Sequence, residues 1–293
     1  MDLPLVVGID GSDSSLQAVD WAVDEAARHG LPMRLVYASR WERYEGSRPS
    51  FTPDRPAEEV MAEHIVASGA ERARLRNPEV KVSGEVLPDD AVSALLRAGH
   101  DAFALVTGSR GRGELTGLLL GSVSLAVAAR AVCSVIVVRG AAQNREGALG
   151  RVMVGVGDLA EGTDAVRFAL REAGARGCAV EAVRAWRRPA HEHVDHLLLT
   201  DDAARALEER ASTNITDALR EAIRDHPGVE VHRHPVEGPA HKVLLAASAR
   251  ADLLVVGAVR RHGHFGLQLG RVAHALLHHS ECPVAVVPQL QRA

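Results

Sequence analysis

The tightest constraint on this chain is that it aligns with itself. The stretch LVVGIDGSDSSLQAVDWAVDEA from Leu5 matches VMVGVGDLAEGTDAVRFALREA from Val152 without a gap. Farther along, FALVTGSRGRGELTGLLLGSVSLAV from Phe103 matches DLLVVGAVRRHGHFGLQLGRVAHAL from Asp252, and AVCSVIVV from Ala131 matches SECPVAVV from Ser280. The matches run in the same order in both halves, which is the mark of a tandem duplication. A chain of 293 residues accommodates two such units. The stretch 140–150, GAAQNREGALG, lacks hydrophobic periodicity and reads as a linker. The expected division is 1–140, a linker at 141–150, and 151–293.

Each copy alternates strand-like and helix-like segments. In the first, apolar runs at 4–10, 33–38, 80–87, 103–107 and 134–138 alternate with helical spacing at 14–29, 57–76, 89–98 and 122–131. Ser12, Asp13 and Ser14 offer N-cap oxygens to the first helix, and Gly30 offers it a stop. Aromatics are only 3% of the chain, and Val, Leu and Ala fill the apolar positions, as in parallel strands covered by helices. The expected fold is α/β, as two tandem five-stranded parallel-sheet αβα sandwich domains. Ligands in such sheets bind beyond the carboxyl ends of the strands, where Asp10 and Gly108 fall.

The formal net charge of −4 gives no reason to expect nucleic acid or an anionic membrane as partner. No segment approaches the ~18 apolar residues of a spanning helix. The N-terminus runs directly into a strand-like segment with no signal-peptide pattern. Cys133, Cys178 and Cys282 form no metal-type spacing and suit reduced thiols, so the expected location is cytoplasmic.

The chemistry sits in the loop after the fourth strand. Gly108-Ser109-Arg110-Gly111 is followed by nine residues and then Gly121-Ser122, which opens the next helix. Glycines let backbone N–H groups approach a phosphate, and a helix N-terminus favours an anion. Ser122 can add a hydroxyl, and Arg110 and Arg112 can add charge. The loop is neither a Walker loop nor a dinucleotide GxGxxG, and by spacing alone it is equally readable as a tight turn. Asp10, before Gly11 at a strand end, is likewise either a ligand-facing carboxylate or a turn-former that bonds its own backbone.

GSRG, nine residues, then GS resembles the ATP-binding signature of the universal stress protein family. VVGIDGSDSS at the start, and CSVIVV and CPVAVV at the ends of the two copies, are similar to the same family. The resemblance covers nearly the whole chain, as a tandem two-domain member, and implies the adenine nucleotide alpha hydrolase-like fold. It further implies that Asp10 faces the nucleoside and Ala38 lies against the adenine. Gly108, Gly111, Gly121 and Ser122 would hold ribose and phosphates, with Val123 beside them. The implied cofactor is ATP, with Mg²⁺ as the usual companion of a triphosphate. A homodimer and an unidentified regulatory protein are the implied partners, and the last strand of each half (135–138 and 284–287) would form a sheet edge suited to pairing.

The second half departs from this pattern. Gly257 and Gly270 match Gly108 and Gly121, but Arg260 stands at Gly111, Arg271 at Ser122 and Gly157 at Asp10. Long side chains enter the phosphate space and the carboxylate is lost, so one nucleotide site per chain is expected, in the first half.

No nucleophile elbow, HExxH helix or kinase motif set is present, so the expectation is a binding protein that senses or regulates. A slow ATPase or phosphoryl- or nucleotidyl-transfer enzyme, with Glu114 or Asp89 near the nucleotide, and a ligand-free interaction module are the alternatives. Trp41, Tyr44 and Phe51 in the irregular stretch 40–56 could form a flap or pack down as a loop. Twelve of the fifteen histidines lie beyond residue 190, in the groups His191/His193/His196, His232/His234 and His262/His264 with His274, His278 and His279. With no carboxylate or cysteine at ligand spacing beside them, these are expected to be solvated side chains rather than a metal site.

Overall fold

The computed structural model describes residues 3–39, 57–111, 120–157, 163–188, 201–259 and 269–289. The chain forms two compact units, Met1–Arg139 and Gly140–Ala293. Trp41, Tyr44, Phe51, Arg112, Glu114, Arg260 and the histidines at 191, 193, 196, 262 and 264 lie outside the described residues.

The first unit runs β1 (Leu5–Gly8), α1 (Asp13–His29), β2 (Met33–Ala38), α2 (Ala57–Arg76), β3 (Val82–Leu87), α3 (Ala91–Ala98), β4 (Ala104–Gly108), α4 (Ser122–Arg130) and β5 (Ser134–Val138). Its strands are ordered β3-β2-β1-β4-β5, every neighbouring pair parallel. The expected strands and helices all form, with ends that differ by a few residues.

Helix α1 forms where its ends are stabilised locally. Ser12 caps it, accepting a hydrogen bond from the Ser15 amide, and Gly30 stops it in the left-handed region at φ 64°. Its inner face buries Ala18, Val19, Trp21, Ala22, Val23 and Ala26, each apolar side chain of Val size removing water-exposed surface worth roughly 1.5–3 kcal/mol. On its outer side Asp20 and Asp24 each take a forked pair of hydrogen bonds from Arg72 and Arg76 of α2. These pairs are solvent-exposed and contribute about 0–1 kcal/mol apiece, so burial of the inner face dominates.

Strand alternation divides the side chains between two helical layers. Leu35 contacts the α2 face at Gly69, whereas Arg34, its neighbour, donates to the Ala98 carbonyl at the end of α3. On β4, Gly108 abuts α1 at Ser14, and Leu105 abuts the turn after α3 at Gly99. Thr107, two residues on from Leu105, therefore shares the α3/α4 side of the sheet.

The second unit runs α5 (Ala142–Arg145), β6 (Arg151–Gly155), α6 (Thr163–Arg176), β7 (Ala179–Trp186), α7 (Asp201–Asp225), β8 (Val231–Glu237), α8 (Ala240–Ser248), β9 (Leu253–Val259), α9 (Arg271–His279) and β10 (Val284–Gln289). Its strand order, β10-β9-β6-β7-β8, repeats that of the first copy, again in parallel register.

The stretch 140–150 is tied to this second unit. Asn144, 1% exposed, points its amide nitrogen at the carbonyls of Ser248, Ala249 and Ala251. Asp252, 2% exposed, accepts from the amides of Leu149 and Arg151. The segment has no apolar period because side-chain hydrogen bonds, rather than apolar burial, fix it in place. Among the described residues, no helix is long and apolar enough to cross a membrane.

Candidate functional site

In the first unit a cavity of about 360 Å³ opens beyond the carboxyl ends of β1, β2 and β4, on the α3/α4 side of the sheet. That volume lies in the range of roughly 300–1,000 Å³ usual for small-molecule sites. Asp10, Ala38, Gly108, Arg110, Gly111, Gly121, Ser122 and Val123 all line it. Residues at 10, 38, 108–111 and 120–123 thus converge on one space. Asp89 is not among the lining residues and pairs instead with Arg97.

Asp10 divides its two oxygens. Oδ1 accepts from the Ser12 amide at 2.9 Å and the Ser12 hydroxyl at 2.6 Å, the local turn that an Asx residue makes with its own chain. Oδ2 faces the glycine loop, where a Cβ added to Gly111 would meet it at 2.7 Å. The turn role and the cavity-facing role coexist because each takes one oxygen.

Gly108 is a glycine for a different reason from the one its motif suggests. A Cβ there would stand 2.5 Å from the Ser14 carbonyl oxygen, in the first turn of α1. Close packing of β4 against α1 by itself demands glycine at this position. The loop entrance is held from both sides. The Arg110 amide donates to Ser14 Oγ at 3.1 Å, and Ser124 Oγ of α4 donates to the Gly108 carbonyl at 2.7 Å. The far end of the loop returns to the near end, the Gly121 amide donating to the Ser109 carbonyl at 2.8 Å.

Helix α4 begins here without a side-chain cap, its N-cap being Gly121, whereas α1 and α3 are capped by Ser12 and Asp90. The first-turn N–H groups of a helix have no intrahelical acceptors and carry the positive end of its dipole. At α4 they open beside the cavity, with Ser122 at the first helical position.

Sequence reasoning missed Thr107. It is 4% exposed, lines the cavity, and its hydroxyl has no hydrogen-bond partner among the described residues. A buried orphan hydroxyl costs about 1–3 kcal/mol. In a strand of the form ALVTG a threonine is indistinguishable from a β-branched core residue, so the only available signal was its counterpart in the second copy, Val256.

The second unit builds its corresponding strand ends differently. The position matching Asp10 is Gly157, whose carbonyl, with that of Val156, accepts from the Arg184 guanidinium. Gly257 lies under the Gln289 side chain, whose amide nitrogen is 2.8 Å from where a Cβ would be. Arg271 opens α9 where Ser122 opens α4.

One histidine group is built into the sheet. His232 and His234 lie on strand β8, and parallel register sets Glu181 of β7 opposite His232. The expectation that no carboxylate stands beside these imidazoles is corrected: the partner is on the adjacent strand, out of reach of local spacing.

A five-stranded parallel sheet with a glycine-looped cavity at the switch of strand order defines an open α/β fold with a cavity where such sheets bind ligands. Comparison with known proteins makes the assignment specific. The model of the universal stress protein family matches twice, over residues 3–139 and 149–288, and the chain belongs to that family as a tandem of two such domains. It is 30% identical over 304 residues to universal stress protein Rv2005c of Mycobacterium tuberculosis, covering 97% of each chain. It is 28% identical over 306 residues to universal stress protein Rv1996 of the same organism, covering 98% of this chain and 96% of that one. Among solved structures, a universal stress protein from Archaeoglobus fulgidus superimposes with a TM-score of 0.68 at 18% identity, covering 97% of this chain and 98% of the other, a likeness of fold.

Proposed function

We propose that the first unit binds one adenine nucleotide, ATP accompanied by Mg²⁺, and that the second unit is a degenerate copy without a competent nucleotide site. The observation that carries this reading is the cavity itself. It joins an orphaned buried hydroxyl at Thr107, an uncapped helix start at Gly121-Ser122 and the Asp10 carboxylate in one space. The hydroxyl and the uncapped helix start are costly or unsatisfied in isolation, and the features together suit a nucleotide: the α4 start the phosphates, Asp10 the ribose hydroxyls, and the apolar wall at Ala38, Val36 and Leu95 the base. Mg²⁺ would be held chiefly by phosphate oxygens and water. The protein acts as a cytoplasmic, homodimeric regulator in which nucleotide occupancy orders the glycine loop and biases binding of a partner protein.

Thr107→Val tests the reading because it transplants the residue that the second copy carries, with almost the same shape. Removing the orphan hydroxyl leaves the nucleotide-free protein as stable or more stable by up to about 1 kcal/mol, while the lost hydrogen bond weakens ATP binding by roughly 5-fold. Thermal unfolding with and without ATP reads both effects in one experiment. Equal affinity in the two proteins would remove Thr107 from the site.

A further inference from the structure

We propose that Glu181, His232 and His234 form a surface site for a zinc ion in the second unit, with Glu230 as the outer carboxylate that orients His232. One ligand atom from each of the three side chains lies within 4.8 Å of the other two. A tetrahedral zinc ion with bonds of about 2.0–2.2 Å sets its ligand atoms about 3.4 Å apart, so small side-chain rotations close the site. Two imidazoles and one carboxylate are an established zinc set that leaves a fourth position for water. With side chains 44% and 45% exposed, both histidines leave that position and an entry path open to solvent.

Strand geometry supplies the convergence. His232 and His234, two apart on β8, point to one face, and parallel register lays Glu181 of β7 opposite His232 and Val183 opposite His234. The Glu181 carboxylate is only 9% exposed and contacts both imidazoles, His234 Nε2 through Oε2 and His232 Nδ1 through Oε1 at 3.5 Å. The other nitrogen of His232, Nε2, is 2.9 Å from Glu230. That leaves Nδ1 for the ion, in the carboxylate–histidine–metal arrangement that fixes ligand tautomers. The hydrogen bond to Glu230 and the charge of Glu181 raise the His232 pKa, against an opposing influence of Arg151.

The first copy shows what a purely structural version of this face looks like. Repeat alignment puts Arg34, Ser83 and Glu85 at the positions of Glu181, His232 and His234. There one ion pair, Arg34 to Glu85 at 3.6 Å, joins the strands. In the second copy the carboxylate has moved to the inner strand, and both outer partners are side chains that ligate metals.

The test is zinc binding to the full-length, chelator-stripped protein, in competition with a chromophoric chelator. Wild type is expected to bind one zinc through this site, with X-ray absorption showing two imidazoles and an oxygen ligand. Glu181→Gln, His232→Ala and His234→Ala each weaken that equivalent by 100-fold or more, Glu230→Gln weakens it by about 10-fold, and His274→Ala leaves it unchanged. His232→Ala alters an exposed side chain, so it reports even if Glu181→Gln fails to fold. Wild-type zinc affinity in His232→Ala and His234→Ala, or no zinc uptake by the wild type, would overturn the proposal.

Discussion

Gly108→Ala is expected to abolish nucleotide binding and to destabilise the first unit by about 1–3 kcal/mol, the usual cost of overpacking. The added methyl would sit 2.5 Å from the Ser14 carbonyl oxygen and 2.6 Å from its carbon. Those are backbone atoms of a capped helix, so no side-chain rotation relieves the contact. Either β4 or the first turn of α1 must shift. With it go the Arg110 amide bond to Ser14 Oγ and the Ser124 bond to the Gly108 carbonyl, which together hold the mouth of the loop. Urea denaturation should show a lower midpoint at unchanged slope, and calorimetry with ATP should show no heat of binding. A variant with the wild-type midpoint and affinity would mean that the packing is looser than the geometry states.

The second large effect is a coupling. Gly111→Ala brings a methyl to 2.7 Å from Asp10 Oδ2, while Asp10→Gly strips the Ser12 amide and hydroxyl of their acceptor. Each single variant should lose both stability and nucleotide affinity. Combined, they should cost less stability than the sum, because the clash vanishes once the carboxylate is gone, leaving a coupling of roughly 0.5–3 kcal/mol. The second copy likewise has glycine at the first position and a side chain at the second, Gly157 with Arg260. A double-mutant cycle by chemical denaturation measures the coupling, and simple additivity would show that Asp10 and Gly111 do not face each other. Nucleotide affinity should stay low in the double variant, since relief of the clash does not return the carboxylate.

How far the sequence foretold this arrangement differs from residue to residue. Duplication, the alternation of strands and helices, and the strand-end positions of Asp10, Ala38 and Gly108 were legible because they depend on periodicity, which is a local property, whereas the order of the strands in the sheet was not. Helix α1 is the clearest case: of the three cap candidates Ser12, Asp13 and Ser14 the structure uses Ser12, and Gly30 stops the helix as the sequence suggests. Thr107 was hidden because a buried strand hides its one polar member among β-branched neighbours. Gly108 carries a packing constraint that its motif does not reveal, since a motif cannot show that the glycine also faces Ser14. Glu181 escaped because its partners are 51 and 53 residues away, joined to it only by strand register. Arg184, which binds the Val156 and Gly157 carbonyls, was likewise silent in the sequence; its counterpart in the first copy is Tyr37.

The central claim is an asymmetry between two copies of one domain, and stoichiometry tests it most directly. Titration calorimetry of the full chain with ATP and Mg²⁺, repeated on Gly108→Ala, should give one site per chain in the wild type and none in the variant. Two equivalent sites in the wild type, or one site that survives Gly108→Ala, would contradict it.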